Sequence, residues 1–252
     1  MTGIDFTHKT FIVAGAGGIG AATAKLLNKL GARILLLDIN EQNINQTMSE
    51  LEGEGNKKYL CDFSSIDTIE PLIKMIIKEN GPIDGFAFCI GVGLVRPLKL
   101  SKYDFMQKVM NINFFSFIEM TRCLSARNSY NPLGMTIVGV SAIGAYLGNS
   151  TKTAYCASKS AMNSAVRCMA KELSSKKIRI NTVAPGVTDT PMAKISEDYG
   201  ADSDAYKLIL ERQYLGICQP EDIANSIAFL MSDMSRMITG NCICVDGGKL
   251  SS

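Results

Sequence analysis

Short apolar runs alternate with longer amphipathic stretches along the whole chain, and this alternation limits the possible folds more than any other feature. The runs Thr10–Ala14, Arg33–Leu37, Lys58–Cys61, Gly85–Cys89, Met135–Val140, Arg179–Val183 and Asn241–Val245 read as strands. Helical patterns fall between them, near 18–30, 40–52, 65–79, 101–126, 153–175 and 220–232. Strand–helix repetition predicts an α/β fold: a doubly wound, seven-stranded parallel sheet with helices on both faces. Right-handed crossovers then bring the carboxyl ends of the strands to one edge, where ligands bind in such sheets. The 252 residues suit one domain of this kind. The irregular stretch at about 186–216 is expected to act as a lid.

The first strand runs into Gly15-Ala-Gly17-Gly18-Ile19-Gly20 and then into a helical pattern. A glycine sextet between strand and helix allows a tight turn and close backbone approach. The helix start offers N–H groups and a positive dipole to a pyrophosphate. Alone, such a sextet also fits a plain turn. The second strand ends in Asp38, eighteen residues after Gly20, where a carboxylate can accept both hydroxyls of an adenosine ribose. It would repel a 2′-phosphate by about 4 kcal/mol at ~4 Å and an effective dielectric near 20. No Lys or Arg in the glycine loop offsets that, so a Rossmann-like site for NAD(H) is favoured over one for NADP(H). Asp38 could instead cap the helix that starts near Asn40.

Tyr155 and Lys159 are four apart at the start of a helical stretch, so both side chains lie on one face. A phenol with a pKa near 10 is about one part in a thousand ionised at neutral pH. A neighbouring ammonium lowers that pKa and makes the phenol a usable proton donor and acceptor. In isolation this spacing also suits an ordinary surface helix.

Taken in order, these residues resemble the short-chain dehydrogenase/reductase family of single-domain enzymes, over essentially the whole chain. The likeness also rests on Asp62 after the third strand, Asn113 in Ile-Asn-Phe, Ser141 in Ser-Ala-Ile-Gly, and Asn181-Thr-Val-Ala-Pro185-Gly186-Val-Thr188-Asp-Thr190. It implies that Tyr155 is the general acid in carbonyl reduction and the base in alcohol oxidation. Lys159 would hold the nicotinamide ribose and tune Tyr155, and Ser141 would bind the substrate oxygen. Asn113 would support a water that relays protons to Lys159. Cofactor contacts would come from Gly15, Gly17, Gly18, Ile19, Gly20 and Asp38, with Asp62 and Phe63 at the adenine. Cys89 and Gly91, then Pro185, Gly186, Thr188 and Thr190 at the carboxamide, would complete the set together with Tyr155 and Lys159. Members of the family commonly form dimers or tetramers.

Three features depart from the family pattern. The glycine loop is one residue short, with Ala14 where a threonine is usual. The Asn-Asn-Ala-Gly after the fourth strand reads Phe88-Cys89-Ile90-Gly91. Ser141 and Tyr155 are fourteen apart, one more than in many members, and the stretch Gly144–Gly148 could absorb the extra residue.

Composition narrows the reading further. Lys+Arg is 26 against Asp+Glu 24, a net charge of +2, which gives no reason to expect nucleic acid or a membrane surface as a partner. No apolar stretch approaches the ~20 residues of a membrane span. The N-terminus has no secretory h-region. The eight cysteines are scattered, with no CxxC and a single histidine, His8. They read as reduced thiols of a cytoplasmic protein rather than as a metal site. The 101–126 stretch carries apolar residues on more than one helical face (Phe105, Met106, Val109, Met110, Phe114, Phe115 and Phe117), which predicts a homo-oligomer, a tetramer or dimer. The functional expectation is hydride transfer between NAD(H) and a small-molecule carbonyl or secondary alcohol. Two alternatives stand beside it: an NADPH-dependent 3-oxoacyl-thioester reductase, and a dinucleotide-binding regulator without turnover.

Overall fold

The computed structural model describes residues 3–194, 207 and 211–251. Seven strands form one wholly parallel sheet in the order β3-β2-β1-β4-β5-β6-β7. They are β1 (Thr10–Ala14), β2 (Arg33–Asp38), β3 (Lys57–Leu60), β4 (Gly85–Phe88), β5 (Met135–Val140), β6 (Ile178–Pro185) and β7 (Cys242–Val245). The helices are α1 (Gly18–Lys29), α2 (Glu41–Ser49), α3 (Ile69–Asn80), α4 (Tyr103–Met110), α5 (Ser116–Leu124), α6 (Thr153–Leu173), a short α7 (Pro191–Lys194) and α8 (Pro220–Met231). This is the doubly wound architecture that the alternation predicts.

Side chains alternate across the pleat and separate into two cores. Ile12, Leu35, Leu37, Phe86, Phe88 and Ile137 pack on α3, α5 and α6 through Ile73, Phe117 and Val166. Phe11, Val13, Ile34, Leu36, Val138 and Val183 face the other way, onto α1 and α8 through Leu27, Ile223 and Ile227. Both layers must be present for the strands, which are apolar on both faces, to leave water. Each Leu, Ile or Phe buried in this way stabilises by about 1.5–3 kcal/mol relative to exposure.

The strand order reverses between β1 and β4, which places a crevice at their carboxyl ends. The predicted helix over 101–126 is interrupted. Asn111–Phe115 forms a π-helical turn between α4 and α5. Such turns accommodate an extra residue and often sit at functional positions. No described helix is long and apolar enough to cross a membrane.

Candidate active site

β1 runs into Gly15, which adopts φ 107°, and Gly18 follows at φ 47°. A methyl group on Gly20 would lie 2.1 Å from the Gly15 carbonyl oxygen, so only glycine lets the first turn of α1 close on the loop. Gly17 is the N-cap of α1. No side chain caps this helix, and its first turn carries no acidic residue. Its N–H groups and positive dipole end are therefore left without a competing carboxylate. At α8, by contrast, the Asp222 carboxylate accepts the Gln219 N–H at 2.7 Å. The backbone at α1 is shaped for the close approach of an anionic ligand such as a dinucleotide pyrophosphate.

Asp38 is buried at the end of β2. Its carboxylate accepts the Ala16 N–H at 2.7 Å and the Asn40 N–H at 2.9 Å, tying the glycine loop to the turn before α2. The cap of α2 is Asn40, whose Oδ1 accepts the Asn43 N–H at 3.0 Å, so the capping role open to Asp38 falls to its neighbour. Each Asp38 oxygen keeps lone-pair capacity for a ribose hydroxyl.

The Asp62 carboxylate turns into its own loop, where it accepts from Ser64 N at 2.9 Å, Ser64 Oγ at 2.7 Å and Ser65 Oγ at 3.2 Å. The Ser64 hydroxyl and N–H bonds hold its pKa below the usual carboxylate value, against a small opposing effect of burial. The Phe63 side chain is 3% exposed and packs edge-to-face on Phe88 at 6.0 Å, within the core.

The catalytic candidates meet at the other side of the crevice. Ser141 directly follows β5, and α6 carries Tyr155 and Lys159 one turn apart. The Lys159 Nζ donates to the Val140 carbonyl at 2.7 Å and is 3% exposed. Burial lowers its pKa to about 8, with the neighbouring Cys89 acting in the opposite direction. The Cys89 thiol is itself pushed up to about 12 by burial, so it is a neutral neighbour at pH 7. The Ser141 Oγ donates a long 3.4 Å bond to the Lys159 carbonyl, a contact weak enough to exchange for a ligand oxygen.

Asn113 sits in the π-helical turn and is fully buried. Its Oδ1 accepts from Val92 N at 2.8 Å, while its Nδ2 donates to Val92 O at 3.1 Å and to Ser158 Oγ at 3.0 Å. Ser158 Oγ in turn donates to the Tyr155 carbonyl at 2.7 Å. Asn113 thus clamps the chain after β4 to the helix that carries the tyrosine. A methyl on Gly91 would lie 3.2 Å from Lys159 Nζ and 3.6 Å from Asn113 Oδ1, so glycine keeps room between the two.

One cavity of about 250 Å³ is lined by Ser141, Tyr155 and Lys159 together with Ile19, Cys89 and Gly91. Pro185, Gly186, Thr188 and Thr190 close it from the end of β6. Gly15, Gly17, Gly18, Gly20, Asp38, Asp62, Phe63 and Asn113 do not line it. The glycine loop nonetheless abuts the Thr190 segment, since a methyl on Gly18 would meet Thr190 Cγ2 at 3.1 Å. Between Ser141 and Tyr155 a short 3-10 turn, Ile143–Ala145, precedes a loop that ends at Thr151 with φ 65°.

Gln213 was not apparent in the sequence. It is fully buried; its Oε1 accepts from Val187 N at 2.9 Å and its Nε2 donates to Val187 O at 3.0 Å and to Gly216 O at 2.6 Å. It fixes the chain after β6, yet no local motif marks it. Lys152, Asn149 and Lys249 also line the cavity without having been expected there. Of the expected lid, residues 195–206 and 208–210 lie outside the described residues. Away from the cavity, Glu70, Glu119 and Cys123 come together. The Arg122 guanidinium bonds both carboxylates, reaching Glu119 Oε1 at 2.6 Å, and supplies the positive charge there.

The family model described as "Enoyl-(Acyl carrier protein) reductase" matches residues 13–249. A 3-oxoacyl-[acyl-carrier-protein] reductase of Thermotoga maritima is 30% identical over 239 residues, 94% of this chain and 95% of that protein. A putative short-chain alcohol dehydrogenase from Sinorhizobium meliloti superposes with a TM-score of 0.90 at 25% identity, covering 98% of each chain. A 7α-hydroxysteroid dehydrogenase, solved with NADH and 7-oxo glycochenodeoxycholic acid, gives 0.87 at 27% identity, covering 97% of this chain and 95% of that one. The near-complete match of sequence and fold, around a cavity holding the serine, tyrosine and lysine, identifies the chain as a member of the short-chain dehydrogenase/reductase family of oxidoreductases.

Proposed function

We propose that the protein moves a hydride between NAD(H) and a small ketone or secondary alcohol, with Ser141 and Tyr155 at the reacting oxygen and Lys159 at the cofactor's ribose. The convergence of these three side chains on one cavity beside the glycine loop carries the reading. A bound nicotinamide would supply or accept the hydride. In the reducing direction Tyr155 gives its hydroxyl proton to the carbonyl oxygen as that oxygen gains charge, and Ser141 donates a second hydrogen bond to it. Lys159 supplies the positive charge that favours the tyrosinate left behind. Asn113 holds this arrangement through Val92 and Ser158.

Asp38 supports NAD(H) over NADP(H). It is a buried carboxylate joined to the glycine loop, and the next residue, Ile39, is 62% exposed and brings no cation to the position of a 2′-phosphate. Eight free cysteines support a reducing, cytoplasmic setting. Apolar surface at Tyr103 and Phe115 of the α4–α5 region supports assembly with further copies of the chain.

The test is titration of the purified protein with NADH and NADPH, followed by fluorescence. NADH binding at least ~10-fold tighter supports the ribose role of Asp38. Tighter NADPH binding would reverse the cofactor preference and favour the thioester-reductase alternative. Tight binding with no turnover of any ketone would favour the regulator.

A further inference from the structure

The wall that closes the cavity after β6 is held by one buried amide. Val187, Thr188 and Thr190 line the cavity beside Pro185 and Gly186. Sheet support ends just before them: Gly186 N donates to Val245 O at 2.9 Å, and Val245 is the last residue of β7. We propose that Gln213 is a positioning residue for the nicotinamide end of the cofactor, its amide setting where the 187–190 segment lies. The inference rests on the reading of the cavity as a nicotinamide-dependent oxidoreductase site and adds a residue to that site.

Three observations carry it. First, a single side chain satisfies both backbone groups of Val187. In extended backbone the N–H and C=O of one residue point to the same side, so an amide can take both, as a neighbouring strand does. Gln213 Oε1 accepts from Val187 N at 2.9 Å, and Nε2 donates to Val187 O at 3.0 Å and to Gly216 O at 2.6 Å. A one-residue bridge follows, in which Cys218 N donates to Val187 O at 3.0 Å and Asp189 N to Cys218 O at 2.8 Å. The Gln213 amide adds the rung that precedes it. Second, the chain is shaped around this side chain. A methyl on Gly186 would lie 2.5 Å from Gln213 Oε1, and one on Gly247 would lie 2.8 Å from Gln213 Cγ, so glycine on either side makes the room. Third, Gln213 is fully buried. Without its amide, water does not simply replace the bond to Val187 N–H, and the segment has to move to satisfy that group.

This movement is felt at one end of the cofactor. Hydride transfer needs the nicotinamide beside Tyr155, and the 187–190 segment is a wall of the same cavity. The β1–α1 loop and Asp38, which suit the pyrophosphate and the adenosine ribose, take no bond from Gln213, whose amide reaches Val187, Gly216 and the Cys218 sulfur. Gln213 therefore acts through Val187 on the reacting half of the dinucleotide.

The test compares two ligands that differ only in the nicotinamide, NADH and ADP-ribose, titrated calorimetrically against the wild type and Gln213→Met, which keeps the length of the side chain and loses its hydrogen bonds. In Gln213→Met, NADH affinity is expected to fall at least ~10-fold while ADP-ribose affinity changes by less than about 2-fold. The emission of bound NADH should shift back toward that of the free cofactor, and kcat should fall more than the KM for the ketone rises. Thermal melts confirm that the variant folds. If it does not, Gln213→Asn, which keeps an amide but withdraws it by one carbon, is expected to show the same split. Equal weakening of both ligands, no weakening of either, or loss of folding in both variants overturns the proposal. The split in a protein that reduces no ketone upholds Gln213 while hydride transfer fails; turnover of a ketone without the split overturns Gln213 alone.

Discussion

Lys159 is a residue of the cavity whose chemistry folding alters strongly. Its pKa falls from the model-compound value of 10.5 to about 8, because burial penalises the ammonium. The folded chain thus binds fewer protons than the unfolded one between those two values. Below about pH 8 the cost of burying the charge is fully present, about 3 kcal/mol, and it is relieved as pH rises toward 10.5. Cofactor binding should follow the opposite course, since the ammonium is the form that holds ribose hydroxyls. The dissociation constant of NADH, measured by fluorescence from about pH 6.5 to 9.5, is expected to rise with an inflection near 8 in the wild type and to stay flat in Lys159→Arg. A flat wild-type profile would remove Lys159 from the cofactor site. Tyr155→Phe is expected to keep NADH affinity and lose at least ~100-fold in kcat, the usual contribution of a positioned acid. That Tyr155 and Lys159 share one side of α6 was legible in the sequence, because a spacing of four on a helix determines where side chains point, whereas Ser141 was singled out by the family resemblance alone. The surroundings of Asp62 and Phe63 were not legible: adjacency in sequence does not tell that a carboxylate turns back to Ser64 or that a ring fills the space against Phe88.

Two elements set the positions of those residues, the β1–α1 loop and the α4–α5 region with its π-helical turn. A Cβ on Gly20 meets backbone at 2.1 Å, whereas one on Gly148 meets nothing within 4 Å. Gly20→Ala is therefore expected to weaken NADH binding at least ~10-fold and to destabilise by about 1–3 kcal/mol, while Gly148→Ala changes NADH affinity little. Titration and thermal melts of the two variants side by side check the contrast. Asn113→Ala removes the three bonds that hold Val92 and Ser158, at a cost of about 2–3 kcal/mol. Its thermal midpoint should fall by several degrees and its kcat should fall as well; an unchanged midpoint would show that the clamp is not structural. The glycine loop was readable because its residue types are dictated by backbone geometry. The π-helical turn was not, since one extra residue within a long apolar pattern leaves the helical period intact to the eye. Gln213 escaped for a related reason: its partners at Val187 and Gly216 are set by the return of the chain to the end of β6, not by any neighbour motif.

At the scale of the whole molecule, the alternation of strands and helices was enough to read the two-layered parallel sheet, because each strand apolar on both faces demands cover on both sides. The strand order β3-β2-β1-β4-β5-β6-β7 was not readable, because alternation alone does not tell which strands pair. What the surface does was less legible. Tyr103 is 70% and Phe115 39% exposed in the single chain, and assembly would cover them. Light scattering is expected to give two or four times the mass of one chain, and a monomer at micromolar concentration would contradict the assembly. The chemistry itself is tested most directly by following the hydride. With NADH deuterated at the transferring C4 position, and whichever ketone is reduced fastest, mass spectrometry of the product should find deuterium on the new carbinol carbon with the wild type and almost none with Tyr155→Phe. Tight NADH binding without deuterium in any product would contradict hydride transfer at this site and leave a protein that only binds the dinucleotide.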